Sequence, residues 1–249
     1  MVIARDELSG NFLSRTGFQD PMAKYSRLKV LTSMIETGMI PVFYHASPEI
    51  TANVIHACAD GGAHCFEFTN RGEQAHEVFA AVARQFKSDD RVILGAGSIL
   101  DPATAALYIQ LGANFVVGPV LNPDVARLCN RRKISYSPGC GTASEISQAE
   151  ELGVEVCKIF PGAAVGGPGF VKDILGPMPW TRIMPTGGVE PTAESITSWI
   201  KAGAACVGLG SKLFPAECIV SGNYAAITEN VKQVLAWIKS ARGSSSPIE

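Results

Sequence analysis

The chain has 249 residues, a length that one large α/β domain often reaches undivided, so a single domain over residues 1–249 is expected. Its 21 Lys plus Arg against 23 Asp plus Glu give a net charge of −2 with no dense basic run, which argues against nucleic acid as a partner. With 47% hydrophobic and 18% charged residues and 25 glycines, the composition can fill a sizeable core and excludes bulk disorder or a coiled coil.

The start, MVIARDELSGNF, is neither a charged-then-apolar signal peptide nor an Arg-rich transit peptide, and no stretch approaches the roughly 20 apolar residues that span a bilayer. A cytoplasmic protein without membrane contact is expected. Lys24 to Thr37 reads as a helix placed to cover the N-terminal mouth of the sheet that follows. From Met39 onward, short Val/Ile/Phe-rich runs alternate with longer amphipathic segments, the pattern of parallel βαβ units. The expected strands are Ile40 to His45, His64 to Thr69, Arg91 to Ala96, Asn114 to Val117, Ile134 to Ser137, Val156 to Phe160, Arg182 to Pro185 and Ala205 to Gly208. Eight such units predict a (β/α)8 TIM barrel over about residues 39–214.

Four intervening helices carry a polar cap followed by proline: Ser47-Pro48, Asp101-Pro102, Asn122-Pro123 and, with a weaker cap, Glu190-Pro191. Glycines at Gly61-Gly62, Gly112, Gly153 and Gly203 mark their ends. Tyr224 to Arg242 reads as a terminal helix with Ile227, Val231, Val234, Leu235 and Ile238 on one face, and the GSSSPIE tail beyond it is expected to be mobile. The seven cysteines lie in apolar runs without CxxC spacing and read as buried thiols of a reducing compartment. Trp180, Trp199 and Trp237 suit helix packing or subunit contacts better than a cofactor site.

Working residues of a barrel lie at the C-terminal ends of its strands. In Cys65-Phe66-Glu67-Phe68-Thr69, alternation turns Glu67 inward if both phenyl rings face the helices. In Val156-Cys157-Lys158-Ile159-Phe160-Pro161, Lys158 shares a face with Val156 and Phe160. Burial disfavours an ammonium, and a partly neutral amine is what Schiff-base chemistry on a ketone requires. A lysine snorkelling to water, or pairing with Glu67, is the plainer alternative. The glycine loops Pro185-Thr186-Gly187-Gly188-Val189 and Gly208-Leu209-Gly210-Ser211 follow strands seven and eight, where barrels commonly bind phosphate. Arg71 could hold a carboxylate or be an exposed loop charge, and Gly95-Ala96-Gly97-Ser98 is a turn presenting a hydroxyl.

Taken together, FEFTNR (Phe66 to Arg71), GAGS (Gly95 to Ser98), KIFP (Lys158 to Pro161), PTGG (Pro185 to Gly188) and GLGS (Gly208 to Ser211) resemble the 2-keto-3-deoxy-6-phosphogluconate (KDPG) / 4-hydroxy-2-oxoglutarate (KHG) aldolase family over roughly Met39 to Phe214. The resemblance implies a class I, metal-independent lyase without a cofactor, a homotrimer that splits a 2-keto-4-hydroxy acid into pyruvate and an aldehyde, as in the Entner–Doudoroff pathway. It assigns Lys158 as the Schiff-base lysine, Glu67 as general acid/base, Arg71 with Ser98 as partners of the substrate carboxylate, and Phe160 and Pro119 to the pocket. Gly187, Gly188, Gly210 and Ser211 would bind phosphate, with Thr186 close by. The chain departs from the family pattern at Ser98, at Asn70 and Gly72 around Arg71, and at Val117-Gly118-Pro119-Val120, which bears on the choice of keto acid. A related acid such as 2-keto-3-deoxy-6-phosphogalactonate is the alternative substrate. Another phosphate-binding barrel enzyme, one that uses a metal included, or a catalytically silent phospho-ligand sensor are the competing functions. His45, His56, His64 and His76 lack ligand-pair spacing, which disfavours metal chemistry.

Overall fold

Parallel strands alternate with helices throughout the computed structural model, which describes residues 23–243. The helix α1 (Arg27–Thr37) precedes nine short strands: β1 (Met39–Phe43), β2 (Cys65–Thr69), β3 (Ile93–Gly97), β4 (Phe115–Val117), β5 (Ser135–Ser137), β6 (Gly139–Cys140), β7 (Cys157–Ile159), β8 (Ile183–Pro185) and β9 (Val207–Leu209). Between them run α2 (Pro48–Gly61), α3 (Ala75–Gln85), α4 (Pro102–Gln110), α5 (Pro123–Arg132), α6 (Ala143–Glu151), α7 (Gly167–Leu175) and α8 (Ala193–Lys201). A 3-10 turn (Ser211–Leu213), α9 (Ala216–Ser221) and α10 (Tyr224–Arg242) complete the order.

Hydrogen bonding joins β5-β4-β3-β2-β1-β9 and β6-β7-β8, every pair parallel. The two groups are continuous. A bridge between Thr186 and Gly208 links β8 to β9, and β5 and β6 are one stave interrupted at Pro138. Proline has no N–H for the ladder, though the Pro138 carbonyl still accepts from Lys158 N–H at 3.1 Å. Eight staves therefore form the expected barrel, with strand ends shifted by one or two residues and the fifth stave running past its expected end at Ser137.

Three expected proline-led helix starts are observed: the side chains of Ser47, Asp101 and Asn122 accept first-turn N–H groups of α2, α4 and α5. The fourth is corrected. Thr192, not Glu190, caps α8, its hydroxyl accepting from Ser195 N–H at 3.3 Å. A short hydroxyl reaches the first turn better than a glutamate does, and the Glu190 carboxylate is bound to Lys212 instead.

The barrel interior closes at its N-terminal end as expected. Val30, Leu31 and Met34 of α1 pack on the inward residues Ile40, Cys65, Ile93, Phe115, Val117, Val156, Met184 and Cys206. At the outside, Ile227, Val231, Val234 and Ile238 of α10 are buried, and Leu235 packs at the edge of the same core. Gly61 makes this docking close, since a Cβ there would stand 2.5 Å from Val231 Cγ1. Trp199 is buried in α8, while Trp180 is exposed. All seven cysteines are buried and unbridged, and burial pushes the thiols of Cys58, Cys65, Cys129 and Cys206 up. No helix among the described residues is long and apolar enough to cross a membrane. The polar tail lies outside the described residues except for its first glycine.

Candidate active site

The strand alternation places the two reactive side chains inside the barrel. Phe66 and Phe68 join the core between sheet and helices, and Glu67 between them is 1% exposed. Cys157 and Ile159 likewise face the helices, leaving Lys158 inward at 5% exposure. The two meet across the interior, with Lys158 Nζ 3.8 Å from Glu67 Oε1. Nζ also lies 5.1 Å from the centre of the Phe160 ring.

Room for this pair comes from β3. A Cβ on Gly97 would fall 2.0 Å from Glu67 Oε1, and one on Gly95 would fall 2.3 Å from the Phe115 ring. The paired register Glu67 to Gly95 and Thr69 to Gly97 brings these clearances beside the carboxylate. Glu67 Oε2 is buried and has no protein hydrogen-bond partner among the described residues. Breaking a buried ion pair, or leaving its oxygens unsatisfied, costs stability. Such an arrangement is retained where an acid or base must stay able to exchange protons.

A cavity of about 460 Å³ is lined among others by Thr69, Arg71, Phe160, Thr186, Gly187, Gly188, Gly210 and Ser211, and it adjoins the pair through Phe160, whose ring lies beside Lys158 Nζ, while Lys158 and Glu67 themselves are not among its lining residues. Arg71 Nε donates to Ser98 Oγ at 3.3 Å, which ties together the two residues that the family resemblance assigns to the substrate carboxylate. Ser98 has φ 60°, a left-handed conformation unusual for serine that costs about 1–3 kcal/mol and clusters at functional sites. Gly187 and Gly188 are left-handed too, at φ 85° and 81°. A Cβ on Gly188 would lie 2.2 Å from Ala163 Cβ, so this turn admits only glycine. At Gly210 a Cβ would meet nothing within 4 Å, and the backbone there borders open space. Thr186 Oγ1 is buried without a protein partner among the described residues.

The structure thus gathers Arg71, Phe160, Thr186, Gly187, Gly188, Gly210 and Ser211 on one cavity that reaches the Lys158–Glu67 pair through Phe160, with Ser98 attached through Arg71. Pro119 is not among the residues lining it. Its carbonyl oxygen packs on Gly139, the register partner of Lys158. Sequence reading passed over Thr69, Tyr44, Glu190 and Lys212, all of which line the cavity. Thr69 was available from period-2 alternation with Glu67. Tyr44 was not, because its place depends on Gly72, where a Cβ would stand 1.6 Å from the Tyr44 hydroxyl.

Known proteins carry the same pattern. A sequence model for the family described as KDPG and KHG aldolase matches residues 30–230. A 2-dehydro-3-deoxy-phosphogluconate aldolase of Treponema pallidum is 31% identical over 208 residues, covering 84% of this chain and 97% of the relative. The KHG/KDPG aldolase of Escherichia coli is 30% identical, with coverage of 83% and 95%. Among solved structures, KDPG aldolase from Legionella pneumophila with pyruvate captured at low pH as a covalent carbinolamine intermediate aligns with a TM-score of 0.74 at 28% identity, covering 81% of this chain and 96% of that one. Family pattern, relatives and fold agree over most of the described residues, and the chain belongs to the KDPG and KHG aldolase family of class I pyruvate aldolases, which are carbon–carbon lyases.

Proposed function

We propose that this aldolase cleaves 2-keto-3-deoxy-6-phosphogluconate to pyruvate and glyceraldehyde 3-phosphate, with 4-hydroxy-2-oxoglutarate, which yields pyruvate and glyoxylate, as its shorter substrate. The observation that carries this reading is the buried Lys158–Glu67 pair beside a cavity whose lining includes Arg71 and both glycine loops. A guanidinium and two glycine loops on one cavity suit a substrate that carries both a carboxylate and a phosphate. Pyruvate bound covalently in the Legionella pneumophila relative supports the same chemistry.

The steps follow from residue types. Arg71, held by Ser98, receives the C1 carboxylate through its planar fork. The Lys158 amine adds to the C2 ketone, and Glu67 moves the protons that convert the carbinolamine to an iminium and release water. Glu67, directly or through a water, then takes the C4 hydroxyl proton. The C3–C4 bond breaks, its electron pair passing into the enamine as the C4 aldehyde leaves. Protonation at C3 and hydrolysis of the iminium return free Lys158 and pyruvate. Phe160 presents a ring face beside Nζ and shields the imine from bulk water. The reading includes a metal-independent cycle that survives EDTA, a cytoplasmic location and a homotrimer that light scattering would measure. Exposed Leu100, Leu107 and Val120 offer apolar surface for such an assembly.

The test is borohydride reduction in the presence of pyruvate, followed by intact-mass and peptide analysis. A pyruvate-sized adduct on Lys158 is expected. Folded protein that shows no adduct in excess pyruvate would refute the proposal.

A further inference from the structure

The rim of the cavity carries a charged pair that the cleavage steps do not use. Lys212 lies in the 3-10 turn after β9 and Glu190 in the loop after Gly187-Gly188, and Lys212 Nζ meets Glu190 Oε1 at 2.5 Å. Both residues line the cavity. The Lys212 side chain is 67% exposed and that of Glu190 35%. Ion pairs this open to water contribute little to folding, so stability is a poor reason for the contact. Its place is more informative. Lys212 directly follows Gly210-Ser211, and Glu190 follows Gly188-Val189, so the pair bridges the two glycine loops beside the open space at Gly210.

We propose that Lys212 is the side-chain ligand for the terminal phosphate of the substrate, and that Glu190 competes with that phosphate for the lysine. The proposal rests on the glycine loops being the phosphate subsite. Without substrate the ammonium donates to the Glu190 carboxylate, which carries one negative charge. A phosphomonoester near neutral pH carries about −1.5 to −2 charges and three strong acceptor oxygens. The four-carbon lysine stem lets Nζ turn from one acceptor to the other without moving the backbone, and Glu190 is then left to water at its exposed side. The carboxylate at the rim also repels anions that cannot capture Lys212. The pair therefore raises selectivity for a terminal phosphomonoester over an uncharged hydroxyl or a weaker anion.

Two substitutions give opposite expectations. The probe is inorganic phosphate as a competitive inhibitor of cleavage, joined by the ratio of kcat/KM for the 6-phosphorylated and unphosphorylated 2-keto-3-deoxy sugar acid. Lys212→Met should raise the phosphate Ki about ten-fold, equivalent to about 1.4 kcal/mol, and lower the ratio by a similar factor. Glu190→Gln should lower the phosphate Ki several-fold, because it removes both the competitor and the repulsion. A bridge that only braces the loops would make both variants weaker binders. Ki shifts of the same sign, an unmoved Ki in Lys212→Met, or a wild-type enzyme insensitive to phosphate would overturn the proposal. Borohydride trapping of pyruvate on the wild-type enzyme runs beside these assays. Its failure would sink the aldolase reading, whereas trapping with unmoved phosphate constants would sink only the role given to Lys212.

Discussion

Gly97→Ala is a small change that tests the centre of the site without touching either reactive residue. The backbone at Gly97 tolerates alanine, since its φ lies outside the left-handed region. The obstacle is Glu67: the added methyl would lie 2.0 Å from Oε1 and 2.6 Å from both Cδ and Cγ. Ordinary carbon contacts begin at about 3.5 Å, so the carboxylate must retreat by more than about 1 Å inside a packed barrel. At 3.8 Å from Lys158 Nζ, the pair attraction is about 4 kcal/mol at an effective dielectric constant of about 20, and near 5 Å it falls to about 3 kcal/mol. Overpacking adds about 1–3 kcal/mol to the folding cost, offset by up to about 1 kcal/mol from the stiffer unfolded chain. Net destabilisation should therefore stay below about 3 kcal/mol. Catalysis should suffer far more, because a displaced general acid/base forfeits about 10²–10⁴ in rate. The assay is kcat for pyruvate release beside guanidinium unfolding of the same preparation. A variant with kcat within about three-fold of wild type and native stability would refute the placement of Glu67 against β3 and its part in proton transfer.

Other expectations follow from single contacts. Lys158→Ala should abolish both cleavage and borohydride trapping, because no electron sink remains, and measurable turnover would contradict the imine route. Gly61→Ala should destabilise by about 1–3 kcal/mol in denaturant melts, since its methyl would meet Val231 Cγ1 at 2.5 Å. Met34→Ala removes a fully buried side chain of α1 from the barrel floor and should cost about 2–5 kcal/mol by the same measurement. Asp89 is held at about 2, below its ordinary 3.8, by hydrogen bonds from Arg91. Its contribution to stability is therefore present above pH 3.8 and lost as pH falls toward 2. The stability lost between pH 5 and pH 2 should be smaller in Asp89→Asn than in wild type, an effect kept small by exposure to solvent.

What the sequence displays and what it conceals divide along the distance over which each contact acts. The inward placement of Glu67 and Lys158 follows from alternation within five residues, since the flanking Phe66 and Phe68, and Cys157 and Ile159, are apolar enough to commit their faces to the helices. Helix starts at Ser47, Asp101 and Asn122 are equally local, because a cap and a proline act on the turn that contains them. Glu190-Pro191 fails as a cap because a hydroxyl at Thr192 competes for the same turn while a lysine 22 residues away takes the carboxylate. The break of the fifth stave at Pro138 is hidden for a related reason: beyond it Gly139 N–H still donates to the Gly118 carbonyl after β4, while Gly139 and Cys140 take up their register with β7, on the next stave.

Gly95 and Gly97 show the limit most clearly. Read along the chain, GAGS is a turn that ends in a hydroxyl. In the barrel, both glycines lie within β3 and are defined by what stands opposite, the ring of Phe115 and the carboxylate of Glu67. A missing side chain in a strand interior weakens that strand, and the barrel accepts the loss because a larger residue at Gly97 would displace the acid and one at Gly95 would collide with the Phe115 ring. The missing Cβ at Gly97 is thus part of the catalytic geometry and that at Gly95 part of the packing against β4, and the sequence records both as glycines whose purpose becomes readable only when the neighbouring strands β2 and β4 are in place.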